Sequence, residues 1–203
     1  MQNSRADNKA MVRTLSITGL MIAVSFIMSI PPWGTIPTPF AAATIAFLPA
    51  IVTVMLEGFV PGLVVGAAAG TFSMVRAFVA PMGILAPFFQ NPLVSVLPRA
   101  MIAVTVFFVF RMLIKMKLPR VAAVGVAAAV GSITNTVGAL GIMWLVYAVP
   151  LQQTVWDNTA HATVWAFFAV VLTTNAVAEV AANTVLAVLI VMTMRAAKLS
   201  KYS

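Results

Sequence analysis

The fold this chain predicts is an all-α integral membrane protein of six transmembrane helices with both termini in the cytoplasm, and three observations predict it. Of the 203 residues, 62% are hydrophobic and only 8% charged, where a soluble domain carries about 25% charged residues. Four acidic and twelve basic side chains cannot cover a soluble sphere, so the remaining surface faces lipid. Apolar stretches of about 20 residues recur with polar breaks between them, which is the helical rather than the β-barrel pattern of a spanning chain. The third observation is that the Lys and Arg outside the apolar stretches fall on one side of that pattern. Residues 1–203 read as a single polytopic membrane domain.

The first span runs from about Thr14 to Ile30 behind Arg5, Lys9 and Arg13, an outline shared with secretory signal peptides. The small residues Ala41 to Ala43 that could serve as a cleavage site lie beyond Pro31-Pro32-Trp33-Gly34, too far from the apolar run, so the span is expected to be retained. The second, about Ala41 to Leu56, is short for a crossing and contains Pro49; it is expected to be kinked or shielded by other helices. The third runs from about Pro61 to Val79, the fourth from about Pro92 to Ile114, the fifth from about Val121 to Val149 and the sixth from about Thr163 to Met194. Prolines cluster at these boundaries, where helices start or stop.

Orientation follows from charge, because Lys and Arg in short loops stay on the cytoplasmic side. Arg5, Lys9 and Arg13 precede span one, Arg111, Lys115, Lys117 and Arg120 join spans four and five, and Arg195, Lys198 and Lys201 follow span six. The alternate loops, Trp33 to Phe40, Ala80 to Asn91 and Pro150 to Ala162, contain no Lys or Arg. The net charge of +8 is therefore a topology signal and not a nucleic-acid footprint. Cysteine is absent and His161 is the single histidine, which excludes disulfides and thiolate sites and leaves no zinc ligand cluster; neither a metal nor a cofactor is expected. Asp157 and His161 lie four apart, but no nucleophile accompanies them, so the chain is not read as an enzyme.

Several polar residues stand out because lipid cannot solvate them. Asn175, Glu179 and Asn183 recur every four residues along span six and line one face of an Ala- and Val-rich helix. A mid-membrane carboxylate costs roughly 2.5–3.5 kcal/mol even on insertion scales, so Glu179 should face a cavity or a partner. Asn135, between Thr134 and Thr136, lies at a comparable depth in span five. These residues either bond neighbouring helices together or form a polar substrate pocket. Arg99 lies roughly 10 Å into span four, close to Gln90 and Asn91, and serves either an internal ion pair or carbonyl clamp or a direct ligand contact. Arg76, near the outer end of span three, is expected to snorkel to the interface. Trp33, Trp156 and Trp165 suit interfacial anchoring, with a lid the second reading for Trp33 and Trp156. Gly58, Gly62, Gly66 and Gly70 form a packing stripe, and Gly19 with Ala23 form a small flat patch on span one.

Taken together, the chain resembles the membrane-embedded substrate-binding subunit, the S component, of an energy-coupling factor (ECF) vitamin transporter. The resemblance rests on Ile36-Pro37-Thr38-Pro39 leading to Ala43-Thr44-Ile45, on Glu57-Gly58 with the glycine ladder, and above all on Gln90-Asn91-Pro92-Leu93-Val94-Ser95-Val96-Leu97-Pro98-Arg99. Thr134-Asn135-Thr136 and Asn175-Ala176-Val177-Ala178-Glu179 add to it. It implies high-affinity binding of a vitamin or related micronutrient by a multi-pass protein of a bacterial or archaeal plasma membrane, followed by association with a transmembrane coupling subunit and two cytoplasmic ATPases. It places Asn91, Arg99, Asn135, Asn175 and Glu179 as candidate substrate contacts. It also matches Gly19 and Ala23 to the spacing of a small-residue patch that docks on the coupling subunit, with Gly19 replacing the usual alanine. The alternative from another class is a self-contained small secondary transporter or channel in which Glu179 is the coupling site.

Overall fold

The computed structural model describes residues 2–36, 43–159 and 163–197. Helix α1 (Gln2–Ser29) leads into a two-stranded antiparallel hairpin, β1 (Thr35–Ile36) with β2 (Ala43–Thr44), followed by α2 (Leu48–Glu57), α3 (Phe59–Val79) and a 3-10 turn over Ala86–Gln90. Helices α4 (Pro92–Lys115) and α5 (Arg120–Asn158) come next; α6 (Val164–Val171) then continues through a π-helical turn, Leu172–Ala176, into α7 (Val177–Ala196). Pro37-Thr38-Pro39, His161, Lys198 and Lys201 lie outside the described residues.

Among the described residues, five segments are long and apolar enough to cross a membrane: Asn8–Ser29, Phe59–Val79, Pro92–Lys115, Arg120–Asn158 and Val164–Ala196. Their outer faces carry Leu15, Phe108, Leu145 and Val185, all largely exposed, as suits surface turned to lipid. The sixth apolar segment, α2, has only 10 residues, about half the hydrocarbon thickness at 1.5 Å per residue. It survives because all of it is buried among the other helices. Pro49 stands in the first turn, where its missing N–H costs nothing, so it starts α2 instead of kinking it.

Two further departures from the sequence reading have local causes. Helix α5 does not stop at Val149 but continues to Asn158, so residues 150–158, expected as loop, are helical. Pro150 removes the hydrogen bond to the carbonyl four residues back, and the strain appears as a kink at Tyr147 (φ −129°, ψ 32°). The second departure is the π-helical turn around Asn175, a widened turn that such helices tend to carry at functional positions.

Packing is set by the glycine stripe. Gly58 adopts φ 103° between α2 and α3, a backbone conformation that glycine reaches without steric cost. A Cβ on Gly66 would lie 2.5 Å from the Arg99 carbonyl oxygen, and one on Gly70 would lie 2.6 Å from the Val96 Cα. The stripe therefore seats α3 directly on the backbone of α4 around Arg99.

Apolar packing forms two clusters. One gathers Phe47, Ile51, Met55, Ile102, Val106 and Val124, and the other Leu85, Phe88, Val94, Leu140, Met143 and Phe167. Along α4, Arg99 falls between Val94 and Ile102; along α5, Asn135 falls between Val124 and Leu140. The polar residues thus occupy the level between the two clusters. At the far side of the first cluster the basic residues converge: Arg13 pairs with Glu57 at 2.9 Å, Arg195 Nη2 donates to the Met55 carbonyl at 3.5 Å, and Arg111, Arg120 and Arg195 line one cavity.

Candidate functional site

The segment from Asn91 to Arg99 explains itself residue by residue. Asn91 caps α4 by accepting from the Leu93 N–H at 2.8 Å, and Pro92 follows in the first turn, where proline is tolerated. Ser95 Oγ donates to the Phe89 and Asn91 carbonyls at 2.5 and 2.7 Å, tying the preceding 3-10 turn to the helix. Pro98 has no N–H, so the Val94 carbonyl loses its helical donor. Arg99 fills that vacant position: its Nη1 donates to the Val94 oxygen at 3.2 Å. The guanidinium also lies over the Phe89 ring, 5.1 Å from its centroid. With five N–H donors and one hydrogen bond among the described residues, buried Arg99 keeps most of its donor capacity unused.

Glu179 is buried on α7 and is held from two other elements. Its Oε1 accepts the backbone N–H of Thr44 at 2.8 Å, and its Oε2 accepts from Thr136 Oγ1 at 3.3 Å. Thr44 is fixed in turn by the hairpin, through contacts with Thr35 Oγ1 at 3.1 Å and the Gly34 carbonyl at 3.2 Å. Arg99 and Glu179 form no direct ion pair. Asn135 is 4% exposed, and its Oδ1 is buried without a hydrogen-bond partner among the described residues.

These side chains meet at one place. Arg99, Asn135, Asn175 and Glu179 line a void of about 40 Å³, with Thr44, Thr136, Leu85 and Phe89 completing its wall. A second void of about 30 Å³ adjoins it through Arg99, Thr44 and Phe89 and is also lined by Arg76. On the other side, Thr44 and Glu179 form a wall shared with a groove of about 210 Å³ that includes Trp33, Ile45 and Ala182.

Four of the five expected substrate contacts therefore share one void, and Asn91 does not. Its Oδ1 is used in the cap and its Nδ2 donates to the Tyr147 hydroxyl at 2.9 Å, so its side chain joins α4 to the kink in α5. Asn183, third in the polar stripe of span six, donates to the Glu179 backbone carbonyl at 2.8 Å and lines none of these voids. Gly19 and Ala23 both lie on the exposed face of α1, and nothing approaches within 4 Å of a Cβ placed on Gly19. Trp33, 74% exposed, borders the outer groove.

Two residues in this arrangement escaped the site reading. Thr44 contributes chiefly through its main chain, which side-chain chemistry does not reveal; the Ala43-Thr44-Ile45 stretch was the available signal. Arg76 is half-buried and turns part of its guanidinium inward instead of snorkelling freely: its Nη1 is buried and without a hydrogen-bond partner among the described residues, and it lines the void beside Arg99. The glycine stripe that docks α3 on α4 was the clue to that proximity.

A larger cavity, about 330 Å³, lies elsewhere, at the basic end, between Met55, Phe107, Phe110 and the three arginines Arg111, Arg120 and Arg195. Its charged groups are all donors and its floor is apolar. The smaller central voids combine buried donors and acceptors from five elements, which is the arrangement that recognises a polar ligand.

The family model described as ECF transporter, substrate-specific component, matches residues 13–191. The chain belongs to this family. No curated protein matches it. An ECF substrate-specific component is a transporter's substrate-binding subunit and not an enzyme, and it works with the coupling and ATPase components of an ECF transporter. Family membership and the five long apolar helices together make the chain a multi-pass membrane protein.

Proposed function

We propose that this ECF substrate-specific component captures a vitamin or related micronutrient with high affinity in the space lined by Arg99, Asn135, Asn175 and Glu179. It then delivers the ligand by associating with a transmembrane coupling subunit and two cytoplasmic ATPases. The observation that carries the reading is the convergence of these four buried polar side chains on one void. A vitamin-sized ligand needs a pocket of about 300 Å³ or more, while the void holds about 40 Å³ and the groove behind Glu179 about 210 Å³. Binding therefore displaces the Thr44–Glu179 contact that separates them and joins the two spaces.

The proposed topology has six spanning segments, α2 being the short and shielded one, with both termini in the cytoplasm of a bacterial or archaeal cell. The convergence of Arg13, Arg111, Arg120 and Arg195 around the end of α2 supports it. Gly19 and Ala23 supply the docking patch for the coupling subunit. Their open, small-residue face supports this role, because a neighbouring helix can approach it closely.

Replacing both Gly19 and Ala23 with tryptophan tests the reading. Purified complexes should lose the coupling subunit and ATPases, and uptake should cease, while the isolated variant binds its ligand as the wild type does. Equal loss of ligand binding would make the patch internal packing. Uptake by the chain alone in liposomes under an ion gradient would instead establish the self-contained carrier, a reading that the family match does not favour.

A further inference from the structure

We infer that the substrate carries an oxyanion, a carboxylate or phosphate-type group, that binds between Arg76 and Arg99, while its hydrogen-bond donors face Glu179 and Asn135. This rests on the binding role proposed above and names the chemical class of molecule that the same space receives. The inference begins with Arg76, which the binding site as first read did not include.

Two guanidiniums face one another across a void without a carboxylate between them. Arg76 and Arg99 both line the 30 Å³ space, together with Thr44, Met82, Leu85 and Phe89, and none of these can neutralise a cation. Arg76 makes no side-chain hydrogen bond or ion pair among the described residues, and its buried Nη1 has no acceptor. Ser73, one turn back on α3, also has a buried hydroxyl without a partner among the described residues, and it shares a third small void with Arg76, Arg99 and Thr44. Glu179 borders the void on the far side of Arg99 and the groove behind it, not the space that Arg76 shares with Arg99, and forms no ion pair with Arg99. The charge balance of the joined space is two cations to one anion. Buried charges that lack partners are costly, and like charges held together raise that cost. An anionic group placed between the guanidiniums removes both penalties and satisfies the idle donors with the planar, bidentate geometry that arginine favours.

Polarity reverses on the opposite side. Among the described residues, Asn135 Oδ1 is a buried acceptor without a donor, and Glu179 Oε2 has a single side-chain contact, at 3.3 Å from Thr136. Both need N–H or O–H groups from whatever fills the space. The site therefore presents donors at Ser73, Arg76 and Arg99 and acceptors at Asn135 and Glu179, with Arg99 bordering both voids. Such a gradient selects a molecule with an acid at one end and hydrogen-bond donors at the other.

The test uses the full-length protein in detergent and a small-metabolite extract of bacterial cells as the probe. Molecules retained after washing are identified by mass spectrometry, and the retained compound and its uncharged methyl ester (the dimethyl ester where the acid is a phosphate) are titrated calorimetrically against the wild type, Arg76→Gln and Arg99→Gln. The inference predicts a retained compound with a group ionised at neutral pH. It predicts at least a tenfold weaker Kd on esterification, a similar loss for each variant with the free acid, and little further loss when the ester meets Arg76→Gln. A retained compound without an acidic group, or an ester that binds as well as the acid, overturns the inference while leaving the binding role intact. Retention of nothing overturns the binding role and this inference with it. The esterification arm uses only wild-type protein, so it decides the matter even where a variant fails to fold.

Discussion

Glu57 and Glu179 are both buried carboxylates in apolar surroundings, 2% and 7% exposed, yet they are held in different ways. Each oxygen of Glu57 has a short side-chain donor, Arg13 Nη2 at 2.9 Å and Thr14 Oγ1 at 2.7 Å. Glu179 has one short bond, from a main-chain N–H at 2.8 Å, and one long bond from Thr136 at 3.3 Å. An arginine, Arg99, borders the same void without closing an ion pair. A carboxylate offers about four acceptor positions, so Glu57 locks α1 to the end of α2 while Glu179 retains capacity for a ligand. On the proposed reading, the same residue type is structural at Glu57, where two short side-chain bonds from α1 occupy both oxygens, and serves the substrate at Glu179, where one of the two bonds is long.

The largest expected effect falls on the open site. Glu179→Gln removes the charge but keeps an acceptor for the Thr44 N–H. A hydrogen bond to a charged group is worth about 1.5–3 kcal/mol, so affinity for the retained substrate should fall about tenfold or more. Calorimetric titration beside a melting curve should show that loss with little change in melting temperature. A collapsed melting temperature with unchanged affinity in the folded fraction would make Glu179 a second lock and erase the contrast with Glu57.

Glu57→Ala should do the reverse. Arg13 is 39% exposed at its side chain and can turn to water, so the cost should lie near about 1–3 kcal/mol, below that of breaking a fully buried pair. Thermal unfolding in detergent should register the loss, and substrate affinity should stay within twofold of wild type.

Asn91→Ala sharpens the contrast with a smaller effect. Losing the cap of α4 should cost about 1 kcal/mol, read as a lower melting temperature with unchanged affinity. A tenfold loss of affinity would return Asn91 to the substrate contacts.

Much of this arrangement was legible in the sequence because a bilayer allows few solutions. The ends of α3 and α4, Val79 and Lys115, lie within a residue of where the apolar runs end, since every backbone group in lipid must be bonded within the helix. The isolated polar residues Arg99, Asn135, Asn175 and Glu179 also stood out, because lipid cannot solvate them, but Asn183 stood out on the same grounds and turns to the Glu179 carbonyl instead. The continuation of α5 past Pro150 was hidden, because proline reads as a boundary unless a kink such as the one at Tyr147 absorbs it. Arg76 was hidden by its position near a span end, where snorkelling is the ordinary fate; only the close seating of Gly66 and Gly70 on α4 turns it inward. Thr44 acts through its main-chain N–H, and Asn91 has the residue type of a ligand contact but is consumed by its cap and by Tyr147. Polar residue type marked the level of the site, and three-dimensional packing decided which members face it.

The claim that the central polar space, and not the larger arginine-rimmed cavity at the basic end, takes the substrate is tested most directly by one paired measurement. The dissociation constant of the compound retained by the wild-type protein is determined for Arg99→Gln and Arg111→Gln under identical conditions. The account predicts at least tenfold weaker binding for Arg99→Gln and an unchanged constant for Arg111→Gln. The opposite pattern, with Arg99→Gln binding as tightly as wild type and Arg111→Gln losing affinity, would contradict it.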